Sequence, residues 1–147
     1  MRKRLSSVLA LITILVCLVS CSKIEYNAVI LTEDFTFNKA WLDSNNDLSE
    51  GKTFVIETQE SLDEIFTDFK EIDFNKKTVI VHCYTTIYVR EQKLQKVSLE
   101  KDVLSIEFDV VDGKSGVGDA TAPQTRACVI CLDKVAVANV IITYNGQ

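Results

Sequence analysis

The chain is short of the residues from which most catalytic and metal centres are built. Its 147 residues include one histidine, His82, and one proline, Pro123. A hydrolase triad would need His82 beside an activated serine or cysteine, and its neighbour Cys83 would point to the other face of a strand. The sequence also lacks the Gly-x-Ser-x-Gly motif of many hydrolases. We therefore predict that the protein has no catalytic residues, needs no cofactor and is not an enzyme. We expect His82 to lie on the surface of a sheet.

Positive charge is also scarce. The chain has 16 basic and 21 acidic residues, and three of the basic ones lie at positions 2–4. Residues 21–147 alone contain 127 residues, with 13 basic and 21 acidic side chains and a net charge of −8. Such an acidic surface lacks the basic patch that neutralises phosphates, which argues against nucleic acid as a partner. The length suits a single domain.

The only long apolar run lies at the N-terminus. Three basic residues precede an apolar stretch over residues 5–19, which is shorter than the roughly 20 residues of a membrane-spanning helix. The segment LVSC at residues 18–21 resembles the lipobox of bacterial lipoproteins, in which the cysteine accepts a lipid and a peptidase cuts before it. The resemblance implies a signal peptide over residues 1–20, lipid on Cys21 and a short lipidated tether over residues 21–28. The alternative is an uncleaved anchor in which this cysteine is incidental.

Residues 29–147 have the pattern of one β-rich globular domain. The run 77–85 is apolar on both faces, as in a central strand, whereas 103–111 alternates between apolar and polar residues. The short segment 100–102 between two strands predicts a hairpin turn. Predicted strands cover residues 29–37, 53–58, 77–85, 93–99, 103–111, 126–132 and 135–144. We predict an α+β fold, with a mostly antiparallel sheet or barrel-like sandwich of about seven strands and one amphipathic helix.

The predicted helix runs from about residue 62 to residue 70. Ser61 and Glu64 have the spacing of a capping box, with Ser61 as the N-cap. Four apolar residues follow at helical spacing and would pack against the sheet: Leu62, Ile65, Phe66 and Phe69. The polar segment 38–51 around Trp41 predicts a loop or a second, short helix.

Three cysteines besides Cys21 lie in the predicted domain: Cys83, Cys128 and Cys131. Cys128 and Cys131 form a C-x-x-C, but they would lie on opposite faces of a strand about 10 Å apart, too far for a disulfide. Zinc would need four ligands, and His82 and Cys83 point in opposite directions. We favour buried free thiols. The open alternatives are a disulfide from Cys83 to Cys128 or Cys131, and metal or redox chemistry.

Two loops imitate ligand-binding motifs. Residues 43–47 resemble the start of a calcium loop, but Leu48 and Phe54 stand where glycine and glutamate belong, which leaves at most weak cation binding. Residues 113–115 resemble the end of a phosphate-binding loop, but Phe108 replaces its first glycine. The glycine-rich loop 112–123 is long, and long loops often carry binding. We therefore predict a contact surface made by Lys114, Ser115, Val117, Asp119, Thr121 and Pro123.

Four segments resemble the C-terminal domain of the protease complex subunit (PrcB) family of bacterial proteins. They are TQESLDEIF, EIDFNKKTVIVHCY, the hairpin KLQKVSLEKDVLSIEFDVV, and TAPQTRACVICLDK, within residues 58–144. The family usually has a glycine in the loop after the central strand, whereas residues 85–89 have none. The resemblance implies a small, non-enzymatic β-rich domain that assembles with or stabilises an exported protease.

Together these features predict a membrane-tethered envelope lipoprotein that binds a protein partner, as an accessory subunit of an exported protease. The lipid on Cys21 would hold it on the cell membrane or the outer membrane, facing the periplasm or the cell exterior. The alternative is a lipoprotein that binds a small ligand or a metal in a pocket between sheet and helix. Neither role requires a bound cofactor, and nucleic acid is not an expected partner.

Overall fold

A computed structural model describes residues 23–31, 35–87, 90–112 and 122–145. The predicted lipidation site Cys21 and five of the six residues of the predicted contact loop lie outside these ranges: Lys114, Ser115, Val117, Asp119 and Thr121. The described chain forms two four-stranded sheets, a two-stranded ribbon and two helices. The predicted α+β class with a mostly antiparallel β-sandwich is therefore confirmed. None of the helices in the described part is long and apolar enough to span a membrane.

The described residues form ten strands, whereas the sequence predicts about seven. Three of the ten, β1, β3 and β5, contain two residues each, which is too short for a period of two to be visible. The strands are β1 (Ile24–Glu25), β2 (Ala28–Leu31), β3 (Thr36–Phe37), β4 (Lys52–Ile56), β5 (Phe66–Thr67), β6 (Lys77–Thr86), β7 (Arg90–Glu100), β8 (Val103–Asp112), β9 (Gln124–Asp133) and β10 (Asn139–Asn145). The helices are α1 (Lys39–Ser44) and α2 (Gln59–Ile65).

The first sheet has the strand order β2-β9-β6-β4 and is antiparallel throughout. Strand β6 lies inside this sheet and buries side chains on both faces, as its apolar run predicts. Val79, Val81 and Cys83 point to one face, where they form a helix-side core with Leu62 of α2. Ile80 points to the other face, into the core between the two sheets.

The second sheet has the order β1-β7-β8-β10 and covers that other face. Strands β7 and β8 form the predicted hairpin, in which Lys101 takes a positive φ of 57° in the turn. Leu104, Ile106 and Phe108 alternate inward along β8 and are fully buried. Together with Ile80 they form the inter-sheet core.

Strand β10 joins the second sheet, although it follows β9 in sequence. The connection is held to the first sheet by Thr78, whose hydroxyl accepts from Val135 N at 3.1 Å and donates to Val135 O at 3.0 Å. It then reaches the second sheet, where Asp102 O accepts from Ala138 N at 2.9 Å. β10 consequently pairs with β8 in parallel, from Asn139 opposite Val103 onward. The sequence predicts this strand over residues 135–144, which starts four residues too early, and it does not indicate the partner strand.

Helix α2 begins and ends earlier than its sequence predicts. The N-cap is Thr58, not Ser61, and the Thr58 hydroxyl accepts from Ser61 N at 3.2 Å. The helix ends at Ile65 because Phe66 turns into an extended conformation and pairs with Phe37 of β3. The predicted apolar face is nevertheless buried in full: Leu62, Ile65, Phe66 and Phe69.

The sheet begins inside the segment predicted as a tether. Ile24 and Glu25 form β1 opposite Leu99 and Ser98 of β7, and Tyr26 N donates to Val97 O at 2.9 Å. Glu25 also forms an ion pair with Lys96. The part of residues 21–28 that lies before the first described strand is therefore only three residues long.

Candidate functional site

A cleft of about 240 Å³ opens at one end of the sandwich, between the two sheets. One wall comes from the end of β6, and the other from β7, β8 and β10 of the second sheet. The turn before β4 closes one side. The lining residues are Ser49, Glu50, Gly51, His82, Tyr84, Thr85, Thr86, Gln92, Val110 and Tyr144.

The strand registers place these side chains. His82 and Tyr84 follow Ile80 at every second position of β6, so they face the second sheet. On that sheet the parallel register sets Tyr144 beside Phe108, and their rings stack with centroids 5.7 Å apart. The turn before β4 is held over β6 because Leu48 O accepts from Thr85 N at 3.0 Å. The cleft therefore depends on long-range pairing rather than on any one local motif.

His82 is 7 % exposed, so its predicted position on a sheet surface is wrong. The second sheet covers the face that a single sheet would leave open. His82 Nδ1 and Thr53 Oγ1 are joined by a hydrogen bond of 2.9 Å across β6 and β4. Burial lowers the pKa of His82, so the imidazole is neutral near pH 7. A neutral ring at the floor of the cleft can pack against a ligand and hydrogen-bond it.

Gly51 lies directly behind the imidazole. It takes a positive φ of 76°, and an added Cβ would stand 2.7 Å from His82 Cε1 and 3.1 Å from Nε2. Both the backbone angle and the close approach require glycine at this position. The turn and the histidine ring are therefore packed as one unit.

Two tyrosines complete an aromatic group around His82. The Tyr84 ring stacks on the imidazole with centroids 5.6 Å apart, and the Tyr144 ring lies 6.3 Å away at a 51° tilt. Burial raises the pKa of Tyr144 to about 12, and the pKa of Tyr84 is raised for the same main reason. Both hydroxyls therefore keep their protons at neutral pH and can act as donors or acceptors.

The three cysteines in the described part of the chain are free, as favoured from the sequence, but only Cys83 and Cys128 are buried, and Cys131 is half-buried. Cys83 and Cys131 lie in the helix-side core, but Cys131 pairs with Val79, four residues and about 13 Å along β6 from Cys83. Cys128 lies in the inter-sheet core on the opposite face. These positions exclude the alternative of a disulfide from Cys83. Burial also raises the pKa of Cys83 and of Cys128 to about 12, so both stay as thiols.

Sequence reasoning missed that Cys128, and not Cys83, shares a face with His82. The two residues are direct cross-strand partners in β6 and β9. However, the imidazole makes its hydrogen bond in the opposite direction, to Thr53 of β4. Cys128 and Ile130 alternate along β9 as His82 and Ile80 do along β6. The shared face can be inferred from this alternation only when the register between the two strands is known.

Of the two loops that imitate ligand motifs, residues 43–47 do not line the cleft, and residues 113–115 lie outside the described part of the chain. In residues 43–47, Asp43 forms an ion pair with Lys39 at 2.7 Å, and Asp47 accepts from Ser49 Oγ at 2.8 Å. Within the described ranges, no three histidine, cysteine or acidic side chains cluster as metal ligands. Pro123, the one described residue of the predicted contact loop, is exposed just before β9.

No protein-family model, curated protein or solved structure matches this chain. The resemblance of residues 58–144 to the PrcB family, like the lipobox resemblance of residues 18–21, therefore stays a prediction. The candidate site rests on the geometry of the chain itself.

Proposed function

We propose that the chain is a membrane-tethered, non-catalytic lipoprotein of the bacterial cell envelope whose β-domain binds a small ligand in the cleft at His82. The observation that carries the proposal is the convergence of three aromatic rings and several polar side chains on one concave site. Such a site, apolar in its walls and polar at selected points, is typical of ligand pockets. It lies between the sheets, where strand pairing holds each wall in place.

The tether is supported by the N-terminal sequence together with the position of β1. A lipid on Cys21 would be separated from Ile24 by Ser22 and Lys23 only. The three residue steps from Cys21 to Ile24 span at most about 11 Å, so the domain would be held against the membrane surface. Two or three acyl chains are needed for stable attachment, because a single chain anchors only marginally.

The non-catalytic role is supported by the chemistry of His82 and of Cys128, its cross-strand partner. A cysteine nucleophile acts as a thiolate, and the pKa of Cys128 is raised to about 12 by burial. The only histidine is held by Thr53, whose hydroxyl cannot orient a general base as a buried carboxylate does in a triad. These residues are arranged to pack and to hydrogen-bond rather than to transfer a proton.

Two measurements test the proposal. Mass spectrometry of the native chain should give an N-terminal diacylglyceryl cysteine at position 21, and a chain that starts at Met1 without lipid would refute the tether. A thermal-shift panel of small molecules should find a ligand that raises the melting temperature by mass action. The shift should disappear in His82→Ala and persist in Thr58→Ala, which changes a helix cap away from the cleft. A panel without any such ligand would refute the binding role.

A protein partner is the second candidate, in the form of the accessory subunit of an exported protease that the PrcB resemblance implies. The observation that favours it is strand β10, which forms an edge of the second sheet among the described strands. Ile141 on this edge is 49 % exposed, and the exposed Ile87 and Val111 adjoin cleft residues in sequence. Edge strands can pair with an added strand from a partner.

This second candidate is tested in intact envelopes. A photo-crosslinking residue at Ile141 should capture one defined protein, and the same residue at Lys39, on the exposed side of α1, should not. Equal recovery from both positions, or recovery of nothing from either, would contradict a specific partner at β10.

A further inference from the structure

The lining of the cleft is almost free of charge and rich in hydrogen-bonding groups. Seven of its ten residues have neutral polar side chains at pH 7: Ser49, His82, Tyr84, Thr85, Thr86, Gln92 and Tyr144. The Gln92 amide also lies within reach of the Tyr144 hydroxyl, whose pKa it lowers against the larger effect of burial. Hydroxyls and an amide offer both donors and acceptors at several points around one small volume.

Among the described residues of the lining, Glu50 is the one that carries a charge. Arg126 lies opposite Tyr84 on the neighbouring strand, and its Nη2 donates to Gln124 Oε1 at 3.4 Å. An anionic ligand would therefore meet the like charge of Glu50, and a cationic ligand would meet this single carboxylate among seven neutral polar residues.

The aromatic side chains set the shape of the site. The rings of His82, Tyr84 and Tyr144 form a group with flat apolar surfaces, and Val110 adds an aliphatic contact. A purely apolar ligand would leave the surrounding hydroxyls and the amide without partners, which weakens binding. The site suits a molecule that has an apolar face and a periphery of hydroxyl groups.

We propose that the cleft binds a neutral carbohydrate through one sugar ring. The C–H face of a pyranose packs on the aromatic side chains, while its hydroxyls exchange hydrogen bonds with the tyrosine hydroxyls, Gln92 and Glu50. The volume of about 240 Å³ lies below the roughly 300–1,000 Å³ of pockets for drug-sized molecules, as expected for a single ring. The inference rests on the proposed function, because it names the ligand class of the same cleft.

Saturation-transfer difference NMR tests this ligand class. The full chain is purified in a polyoxyethylene detergent, which carries no sugar headgroup. The probes are methyl glucoside and N-acetylglucosamine as ring sugars, sorbitol as a polyol without a ring, and choline and acetate as charged molecules. The variants Tyr84→Phe and Tyr144→Phe remove one hydroxyl each and keep the ring. Tyr26→Phe makes the same change outside the cleft, beside Val97.

The ring sugars should bind, and each cleft variant should weaken binding roughly 3- to 10-fold, the equivalent of one lost hydrogen bond. Tyr26→Phe should bind as the unmodified chain does. Equal binding of sorbitol, or equal binding by all three variants, would overturn the carbohydrate inference. Binding of choline or acetate alone, with loss in the cleft variants, would also overturn it and would leave the binding role of the cleft intact.

Discussion

Replacement of Gly51 by alanine tests whether the turn before β4 and the His82 ring are packed as the structure has them. The added methyl group would lie 2.7 Å from His82 Cε1, a distance that real Cβ contacts do not adopt. The ring would have to move, and its hydrogen bond to Thr53 Oγ1 would lengthen from 2.9 Å. Alanine would also have to adopt a φ of 76°, which favours glycine.

These effects can be added up. A residue with a Cβ in the left-handed region costs about 1–2 kcal/mol. Loss of the Thr53 hydrogen bond costs about 0.5–1.5 kcal/mol, and a strained side-chain rotamer at His82 costs a similar amount. We therefore expect Gly51→Ala to lower the free energy of unfolding by about 2–5 kcal/mol. For a domain of this length, the melting temperature should fall by roughly 10 °C.

Chemical denaturation of four chains measures the contribution of the contact: the unmodified chain, Gly51→Ala, His82→Ala and the double variant. His82→Ala removes the ring that the new methyl group would strike, so the double variant should recover about 1–2 kcal/mol relative to the sum of the single changes. The backbone cost should remain. If the two substitutions are additive, the ring does not lie against Gly51 and the geometry of the cleft floor is wrong.

Four further predictions follow from individual contacts. Because burial lowers the folded-state pKa of His82, the unfolded chain binds more protons below about pH 6.5. Stability should therefore fall by up to about 1.4 kcal/mol per pH unit below that point in urea titrations, and His82→Gln should remove this slope. Phe108→Ala should cost about 3–5 kcal/mol in the same assay, because the ring is fully buried against Tyr144, and an effect below about 1 kcal/mol would contradict its place in the core. Thr58→Ala should cost about 0.5–2 kcal/mol through the lost cap of α2, whereas Ser61→Ala, at the predicted cap, should cost less. A thiol reagent should modify Cys83 and Cys128 only at the rate of unfolding, and rapid labelling of the folded chain would refute their burial.

The parts of the fold that could be predicted are those with a clear local pattern. The uninterrupted apolar run of β6 and the strict alternation of β8 both place their strands within one or two residues. The two-residue strands β1, β3 and β5 form only because a partner strand lies beside them. The predicted strand over residues 29–37 includes β3, but the sequences of β1 and β5 contain no periodic signal, so the pattern alone could not reveal those two.

Helix α2 shows where two local signals compete. Ser61 and Glu64 match a capping box, but Thr58 lies three residues before Ser61 and caps the helix instead. The end of the helix is decided by tertiary structure, since Phe66 leaves the helix to pair with Phe37. The apolar spacing still identified the buried residues, because Leu62 and Ile65 in the helix and Phe66 and Phe69 beyond it all pack into the core.

The candidate site was harder to predict than the fold. A histidine in a sheet is buried only if a second sheet covers its face. The residues next to His82 in sequence do not indicate whether a second sheet does so. That cover depends on Tyr144 reaching the cleft from the far end of the chain through the parallel pairing of β10 with β8. The sequence therefore supplied the strand and the residue type but not the site.

The parallel pairing of β10 with β8 provides the most direct test of the proposed cleft. A carbon-resolved NOE spectrum of the chain in micelles should show contacts from the Tyr144 ring to both His82 and Phe108, whose ring centroids lie 6.3 and 5.7 Å from it. Backbone NOEs should run in parallel register between β10 and β8, with Ile142 beside Ile106. If β10 instead shows antiparallel contacts to β9, its neighbour in sequence, Tyr144 is absent from the second wall of the cleft and the proposed binding site does not exist.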